Sequence, residues 1–257
     1  MYFQLSHSFS GILCGEKVSS HDKIEHMRLY IIRHADPDYA NNTITLNGHR
    51  EASALADHLK TFGIDEIYSS SMGRARHTAQ YSANQLGLPI HIEDWAGELD
   101  KAWFEELDQS FLDIEKPCYR THECSSGLSR WTLDEMAENP VIARNMEVVR
   151  QGSDDFLARQ GFVRQGALFQ SKGKNLKKIA FFTHMGLELA WLAYLLGIPF
   201  LSLWDGFFVH PSSITTVLFE ERSAGKVVPR CIGLGDISHL VAAGLFPQPI
   251  GIVANYY

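Results

Sequence analysis

The stretch Met27-Arg-Leu-Tyr-Ile-Ile-Arg-His34 decides how this sequence folds. Leu29 to Ile32 is an unbroken apolar run bounded by Arg28 and Arg33, the pattern of a strand buried on both faces. Strands of that kind belong to parallel sheets covered by helices. Residues 1–26 carry Ser, His, Gly and charge without sustained periodicity and are read as an extension outside the core; Met27 reads as the natural start, and 27–257 as one domain.

Outward from this strand the text alternates. Gly48 to Phe62 places Ala52, Leu55, Ala56 and Leu59 at helical spacing, Asp65 to Tyr68 reads as a second strand, and Arg74 to Leu86 as a second helix. Gly87-Leu-Pro89 stops that helix, and Ile90 to Ile92 forms a third strand. Lys178 to Thr183 is another buried strand, followed by a helix from about Gly186 to Leu196 that ends at Gly197 and Pro199. Val209 to Glu220 and Lys226 to Ile232 read as late strands joined by a hairpin around Ser223-Ala-Gly225. The implied architecture is a three-layer α/β/α sandwich with a mostly parallel central sheet, whose ligands lie beyond the carboxyl ends of the strands. From about 100 to 170 the alternation fails. An aromatic-rich part to Trp131 is followed by helix-like text with Pro140 near its start and Val141, Met146, Val149 and Phe156 on one face, and the whole is read as a cap inserted into the core.

Composition narrows the function. An apolar share of 45% with 21% charged residues is that of an ordinary globular chain. A net charge of -7 excludes a general nucleic-acid or anionic-membrane binder, because counterion release needs a basic surface. Four cysteines in 257 residues suit free thiols and a reducing compartment. The longest apolar candidate, Leu187 to Leu201, is broken by Glu188 and Gly197-Ile-Pro199, so no membrane span is expected. No basic-then-apolar leader opens the sequence, and the cytoplasm is the expected location.

Three pieces carry chemistry. Arg33-His34 closes the first strand, and by itself such a pair is usually a solvated strand end. Ser69-Ser-Ser-Met-Gly-Arg-Ala-Arg-His-Thr-Ala79 follows the second strand and opens the second helix, so loop amides and Arg74 converge on an anion at the sheet's carboxyl edge. His184 follows the strand Lys178 to Thr183 as His34 follows the first. Two histidines and two arginines at one sheet edge form a set that a structural role does not require. By contrast, Cys118-Tyr-Arg-Thr-His122-Glu-Cys124 matches no closed zinc pattern and is read as a loop. Trp103, Phe104, Tyr119, Arg120, Arg130 and Trp131 either line a substrate pocket or form the small core of the insert.

This arrangement resembles the histidine phosphatase superfamily, with its phosphoglycerate-mutase-like fold, across essentially Met27 to Leu240. Arg33-His34-Ala35 is similar to the family's Arg-His-Gly, Ile44-Thr-Leu-Asn-Gly48 with Glu51-Ala52 to its Leu-Thr-x-x-Gly and following Gln-Ala. Arg74-Ala-x-x-Thr78-Ala is similar to its Arg-Ala-x-x-Thr-Ala, and Thr183-His184-Met-Gly186 to the stretch holding its second catalytic histidine. The resemblance implies that His34 is the nucleophile that becomes phosphohistidine, that Arg33, Arg74 and His184 hold the phosphoryl oxygens, and that Glu98 donates the proton. Glu93, Asp94, Asp100 and Glu188 are the other carboxylates near the same elements.

A phosphoryl group in a loose transition state needs alignment and charge stabilisation, which two guanidiniums and an imidazolium supply. A nucleophilic histidine must keep one nitrogen unprotonated, and a carboxyl with a raised pKa can protonate the leaving alkoxide and then activate water. No metal and no cofactor is called for; the expected partner is a small phosphorylated substrate. Ala35 in place of Gly is tolerable if its φ is negative, and Asp36-Pro-Asp38-Tyr39 departs from the sugar-phosphate mutases, which favours a phosphatase. Met185 stands where the acid-phosphatase branch carries Asp, which disfavours that branch. The other readings are a phosphoryl isomerase of the mutase type, a catalytically weak phosphate-binding interaction module, and a phosphatase of phosphoproteins.

Overall fold

Strand β1 (Arg28–Arg33) is the central support of an eight-stranded sheet. A computed structural model of the chain describes residues 26–99 and 140–247. In chain order the other elements are β2 (Pro37–Asp38), β3 (Thr43–Ile44), α1 (Leu46–Lys60), β4 (Glu66–Ser70), α2 (Gly73–Leu86), β5 (Ile90–Glu93), a single helical turn at Asp94–Ala96, and α3 (Pro140–Arg159). Then come β6 (Phe162–Gln165), β7 (Leu168–Ser171), β8 (Lys178–Thr183), α4 (Met185–Leu196), α5 (Phe200–Gly206), β9 (Ile214–Ser223), β10 (Lys226–Asp236) and α6 (Ser238–Ala242). The sheet order is β5-β4-β8-β1-β9-β10-β7-β6.

The unbroken apolar run of β1 is explained by its neighbours above and below. Tyr30 and Ile32 point to one face, where they meet Leu55 and Leu59 of α1 and Ala79 and Ala83 of α2. Leu29 and Ile31 point to the other, into a larger core that holds Phe156 of α3 and Trp191 of α4. Both faces are dry, so successive side chains must all be apolar. The larger core is centred on Trp191, whose ring lies 4.8 Å from Phe181, 5.0 Å from Trp95 and 5.8 Å from Phe156, in edge-to-face contacts. The result is the expected helix–sheet–helix sandwich.

The sheet is parallel only in the half β5-β4-β8-β1; β9, β10, β7 and β6 extend it by antiparallel pairs. The expected late hairpin is β9–β10, turning at Gly225 with φ of 76°. The β6–β7 hairpin was not legible in the sequence. Its two four-residue strands are half-buried at the edge, and only Phe162 and Phe169 mark the inner face, against Phe219 at 5.2 and 6.0 Å. Of the segment from about 100 to 170, residues 140–171 pack with the sandwich: Trp191 donates to Ser153 of α3 at 2.8 Å and Tyr194 to Asp154 at 2.8 Å. Residues 100–139, which include Asp100, the Cys118–Cys124 motif and the aromatics from Trp103 to Trp131, lie outside the described residues. Cys231 is a free thiol. No helix among the described residues is long and apolar enough to cross a membrane, and no group of metal-ligating side chains occurs among them.

Two glycines let the β2–β3 loop press onto the helices. A Cβ on Gly48 would stand 2.4 Å from the Asp36 carbonyl oxygen, and one on Gly73 only 2.1 Å from that of Asn42. Helix propensity favours Ala over Gly, yet here the clash is with backbone and outweighs it. Gly73→Ala is expected to lower stability by about 1–3 kcal/mol, read as a reduced urea midpoint. A midpoint at or above that of the parent chain would show that the loop yields without cost.

Candidate active site

Strand pairing brings the two histidines together. β1 and β8 run parallel in the register Arg33↔Thr183, so the next residues, His34 and His184, emerge side by side. The His34 amide donates to Thr183 O at 2.9 Å, and the imidazole centroids lie 5.1 Å apart. β4 flanks β8 on its other side, which carries Ser70 to His184: Ser70 Oγ and His184 Nε2 are 2.9 Å apart. β4 then turns into α2, whose second residue is Arg74.

The hydrogen bonds of His34 define its tautomer. Nδ1 lies 2.8 Å from the Ala35 carbonyl, which can only accept, so Nδ1 carries the proton. Arg74 Nε, which can only donate, lies 3.2 Å from Nε2. The lone pair of Nε2 therefore faces the guanidinium. Burial, then the charge of Arg33 and, less, that of Arg74 hold the imidazole pKa well below its usual value, against the contribution of the Ala35 carbonyl. His184 is likewise pushed well down, by burial first and then by His34, Arg74 and Arg33. Its Nδ1 is buried with no partner among the described residues.

The arginines are anchored from outside. Arg33 Nη1 donates to Val209 O at 2.6 Å and the guanidinium carbon lies 5.5 Å from the Phe208 ring centroid, while Nε is buried with no hydrogen-bond partner among the described residues. Arg74 Nη1 donates to Asn42 Oδ1 at 3.3 Å. Arg33 is 3% and Arg74 6% exposed, so both charges are concentrated in a site of low dielectric.

Glu98 reaches the same place from beyond β5. The hydroxyl of Thr183 donates to Ala96 O at 2.9 Å, tying the turn after β5 to the end of β8. Glu98 Oε1 accepts from the Leu99 amide at 3.0 Å and from the Leu187 amide in the first turn of α4 at 3.3 Å. Gly186 allows this approach, since a Cβ there would stand 2.7 Å from Oε1. Burial raises the Glu98 pKa above the ordinary 4.5, opposed by Arg33, the Leu99 amide and Arg74.

The structure thus brings Arg33, His34, Arg74, His184 and Glu98 to one sheet edge. The rival carboxylates are placed differently. Glu93 is engaged by Trp95 Nε1 and by Arg159, and Asp94 is exposed. Glu188 is wholly buried behind the site on α4, with neither oxygen in good hydrogen-bond geometry, although the Thr215 hydroxyl is near enough to moderate its pKa. Burial still carries that pKa up to about 8.

Several supporting residues escaped the sequence reading. Thr78 Oγ1 accepts from the Ala35 amide at 3.0 Å and donates to Arg74 O at 2.8 Å, joining the loop after His34 to α2. Glu51 accepts from the Asp36 amide at 2.8 Å and from Asn47 at 2.8 Å, and its burial raises its pKa to about 7. Both residues stand in quoted motifs, but their partners could not be read from spacing. Among the described non-glycine residues only Asn42 and Ser212 have positive φ, so Ala35 meets no backbone penalty.

Comparisons with known proteins bear on the family and the fold. The adenosylcobalamin/alpha-ribazole phosphatase of Salmonella typhi is 24% identical over 189 residues, 69% of this chain and 84% of that protein. A probable phosphoglycerate mutase GpmB of Enterobacter sp. (strain 638) is 25% identical over 103 residues, so the chain spans about half, 48%, of its length. In fold the chain is similar to the phosphoserine phosphatase of Entamoeba histolytica, with a TM-score of 0.54, 21% identity, and coverage of 83% of this chain and 99% of that one. A model of the histidine phosphatase superfamily (branch 1) matches residues 29–229, and the chain belongs to that superfamily.

Proposed function

We propose that this chain hydrolyses a small phosphomonoester through a phosphohistidine on His34. One observation carries the reading: His34 is held in the tautomer that presents an unprotonated Nε2 toward Arg74 and beside His184. A nucleophile needs that lone pair, and a binding module has no use for it.

In the proposed first step Nε2 attacks phosphorus in line, the P–Nε2 bond forms and the ester P–O bond breaks. Arg33, Arg74 and His184 hold the equatorial oxygens, and the Arg74 Nε–H exchanges the imidazole lone pair for a phosphoryl oxygen. Protonated Glu98 gives its proton to the leaving alkoxide. In the second step the Glu98 carboxylate takes a proton from water, which attacks phosphorus and releases phosphate and neutral His34. Residues 27–257 act as one unit in this reading; of the segment from about 100 to 170, residues 140–171 belong to the sandwich, and the part before them is assigned to the cap that selects the substrate. A small phosphorylated substrate in place of a nucleic acid or membrane accords with the net charge of -7, and a cytoplasmic location with the sparse cysteines, four in 257 residues. Release of phosphate to water without a bisphosphate primer separates this function from a mutase.

His34→Ala is expected to abolish phosphate release while the circular dichroism and melting transition persist. Rapid quenching of the parent chain with labelled substrate should leave acid-labile, base-stable label on the protein. Turnover near the parent level in the variant rules the mechanism out.

Glu98→Gln should slow esters of poor alkoxide leaving groups by roughly 100- to 10,000-fold, and aryl esters far less. Equal losses on both classes transfer the proton-donor role to another carboxylate.

Glu98 must be protonated to act as acid, so the rate on alkyl esters should fall as pH rises through its raised pKa, and that alkaline limb should vanish in Glu98→Gln. His34 must be neutral, so the acid limb belongs well below 6.5. An acid limb at or above that value contradicts the assignment of His34.

A further inference from the structure

The loop between β1 and α1 holds an aromatic ring at the mouth of the site. Tyr39 is 60% exposed, and its ring centroid lies 5.4 Å from the guanidinium carbon of Arg74. An exposed tyrosine on a loose loop has no particular meaning, but this loop is fixed along its length. Pro37 pairs with Ile44 and Asp38 with Thr43, and the Thr45 amide donates to Asp36 O at 2.9 Å. Asn41 Nδ2 donates to Asp38 at 2.7 Å, Thr43 Oγ1 lies 2.6 Å from His77 Nδ1, and Asn42 Oδ1 accepts from Arg74 itself. The absence of a side chain on Gly73 lets the backbone of Asn42 lie against the start of α2. The ring is thus prepositioned on a rigid support, at little entropic cost to a ligand that stacks on it.

The direction of the reaction makes this position informative. His34 is 1% exposed and forms the floor of the site. In-line displacement puts the leaving oxygen opposite Nε2, so the alcohol portion of the ester points away from the floor and toward the mouth. Tyr39, lying over an arginine proposed to hold the phosphoryl group, flanks that path. We infer that Tyr39 is a specificity-determining residue, and that the substrates are phosphomonoesters whose alcohol portion carries a planar aromatic or heteroaromatic ring that stacks on it. This rests on the hydrolase reading above and adds the substrate class.

The test separates planarity from mere apolarity and stacking from leaving-group chemistry. Phenethyl phosphate and cyclohexylethyl phosphate release similar primary alkoxides but differ in ring shape. 3-Phenylpropylphosphonate and 3-cyclohexylpropylphosphonate, with CH2 in place of the ester oxygen, report the same contrast in binding, without turnover. With the full chain, kcat/KM and phosphonate affinity should both favour the aromatic member by about 2- to 10-fold, the size of one stacking contact. Tyr39→Phe should keep that ratio, and Tyr39→Leu should bring it near one. Because a ratio is read, any loss that the two ligands share through Arg74 cancels. A ratio near one in the parent chain, or a ratio that survives in Tyr39→Leu, overturns the inference. Failure to hydrolyse either ester, with the phosphonate preference intact and lost in Tyr39→Leu, would sink the hydrolase reading while supporting the aromatic subsite. Turnover of both esters without preference does the reverse.

Discussion

Everything in this site depends on one pairing, the parallel ladder between β1 and β8 in the register Arg33↔Thr183. Two strands that end at the same level deliver His34 and His184 as neighbours, and the strands on either side add their own contributions. β4 brings Ser70 to His184, and the entry to β9 closes the other flank through Ser213 O, which accepts from the Arg33 amide, and the Ser212 amide, which donates to His34 O. Because side chains alternate faces along a strand, a slip of one residue would turn Arg33 and Ile31 to the opposite face. The dry packing of Leu29 and Ile31 against the Trp191 cluster, and of Tyr30 and Ile32 against α1 and α2, forbids that slip. Hydrophobic burial thereby fixes the register that sets His34 beside His184.

The electrostatics follow from burying so many basic groups together. Four nitrogenous side chains share a site almost closed to water, and each arginine disfavours a proton on both imidazoles. The site meets this by keeping the histidines neutral and leaving donors unused, such as Arg33 Nε and the buried His184 Nδ1 position. In the proposed reaction the phosphoryl group supplies the missing negative charge and takes the Arg74 Nε–H that His34 Nε2 now accepts. Carboxylates around the site tell the complementary story. Glu98, Glu51 and Glu188 are all raised by burial, and they differ in what holds them: two backbone amides, a loop amide with Asn47, or no well-formed bond. Glu98 alone is tied to the first turn of the helix that follows His184 while also feeling both arginines.

The loop from Asp36 to Thr45 shows how local rigidity is built from small parts. Glu51 and Thr45 hold Asp36, Thr78 holds Ala35, and two glycines let the loop backbone approach helices that any side chain would push away. Pro37 restricts the chain as it leaves His34, and Asn42 takes the left-handed conformation that asparagine tolerates better than most residues. The backbone of His34 is thereby held on both sides, which suits the attacking role proposed for it.

Local pattern alone made several elements legible: β1 and β8 as doubly buried strands, α1 by its helical spacing, α2 and α4 with their glycine stops, and the β9–β10 hairpin. It also singled out Arg33, His34, Arg74 and His184, because charged and imidazole groups at the ends of buried strands are conspicuous against an apolar background. The β6–β7 hairpin stayed hidden, since short edge strands bury one side chain in two and mimic loop text. Tertiary structure alone decided the strand order, hence which ends adjoin, and hence the tautomer of His34, the anchoring of Glu98 and the burial of Glu188. Those depend on contacts across 40 to 176 residues of chain, such as Arg74 to His34 and Arg33 to Val209. Hydrogen bonds of that separation leave no periodicity behind, because nothing in a residue's own neighbourhood records which distant strand will lie beside it.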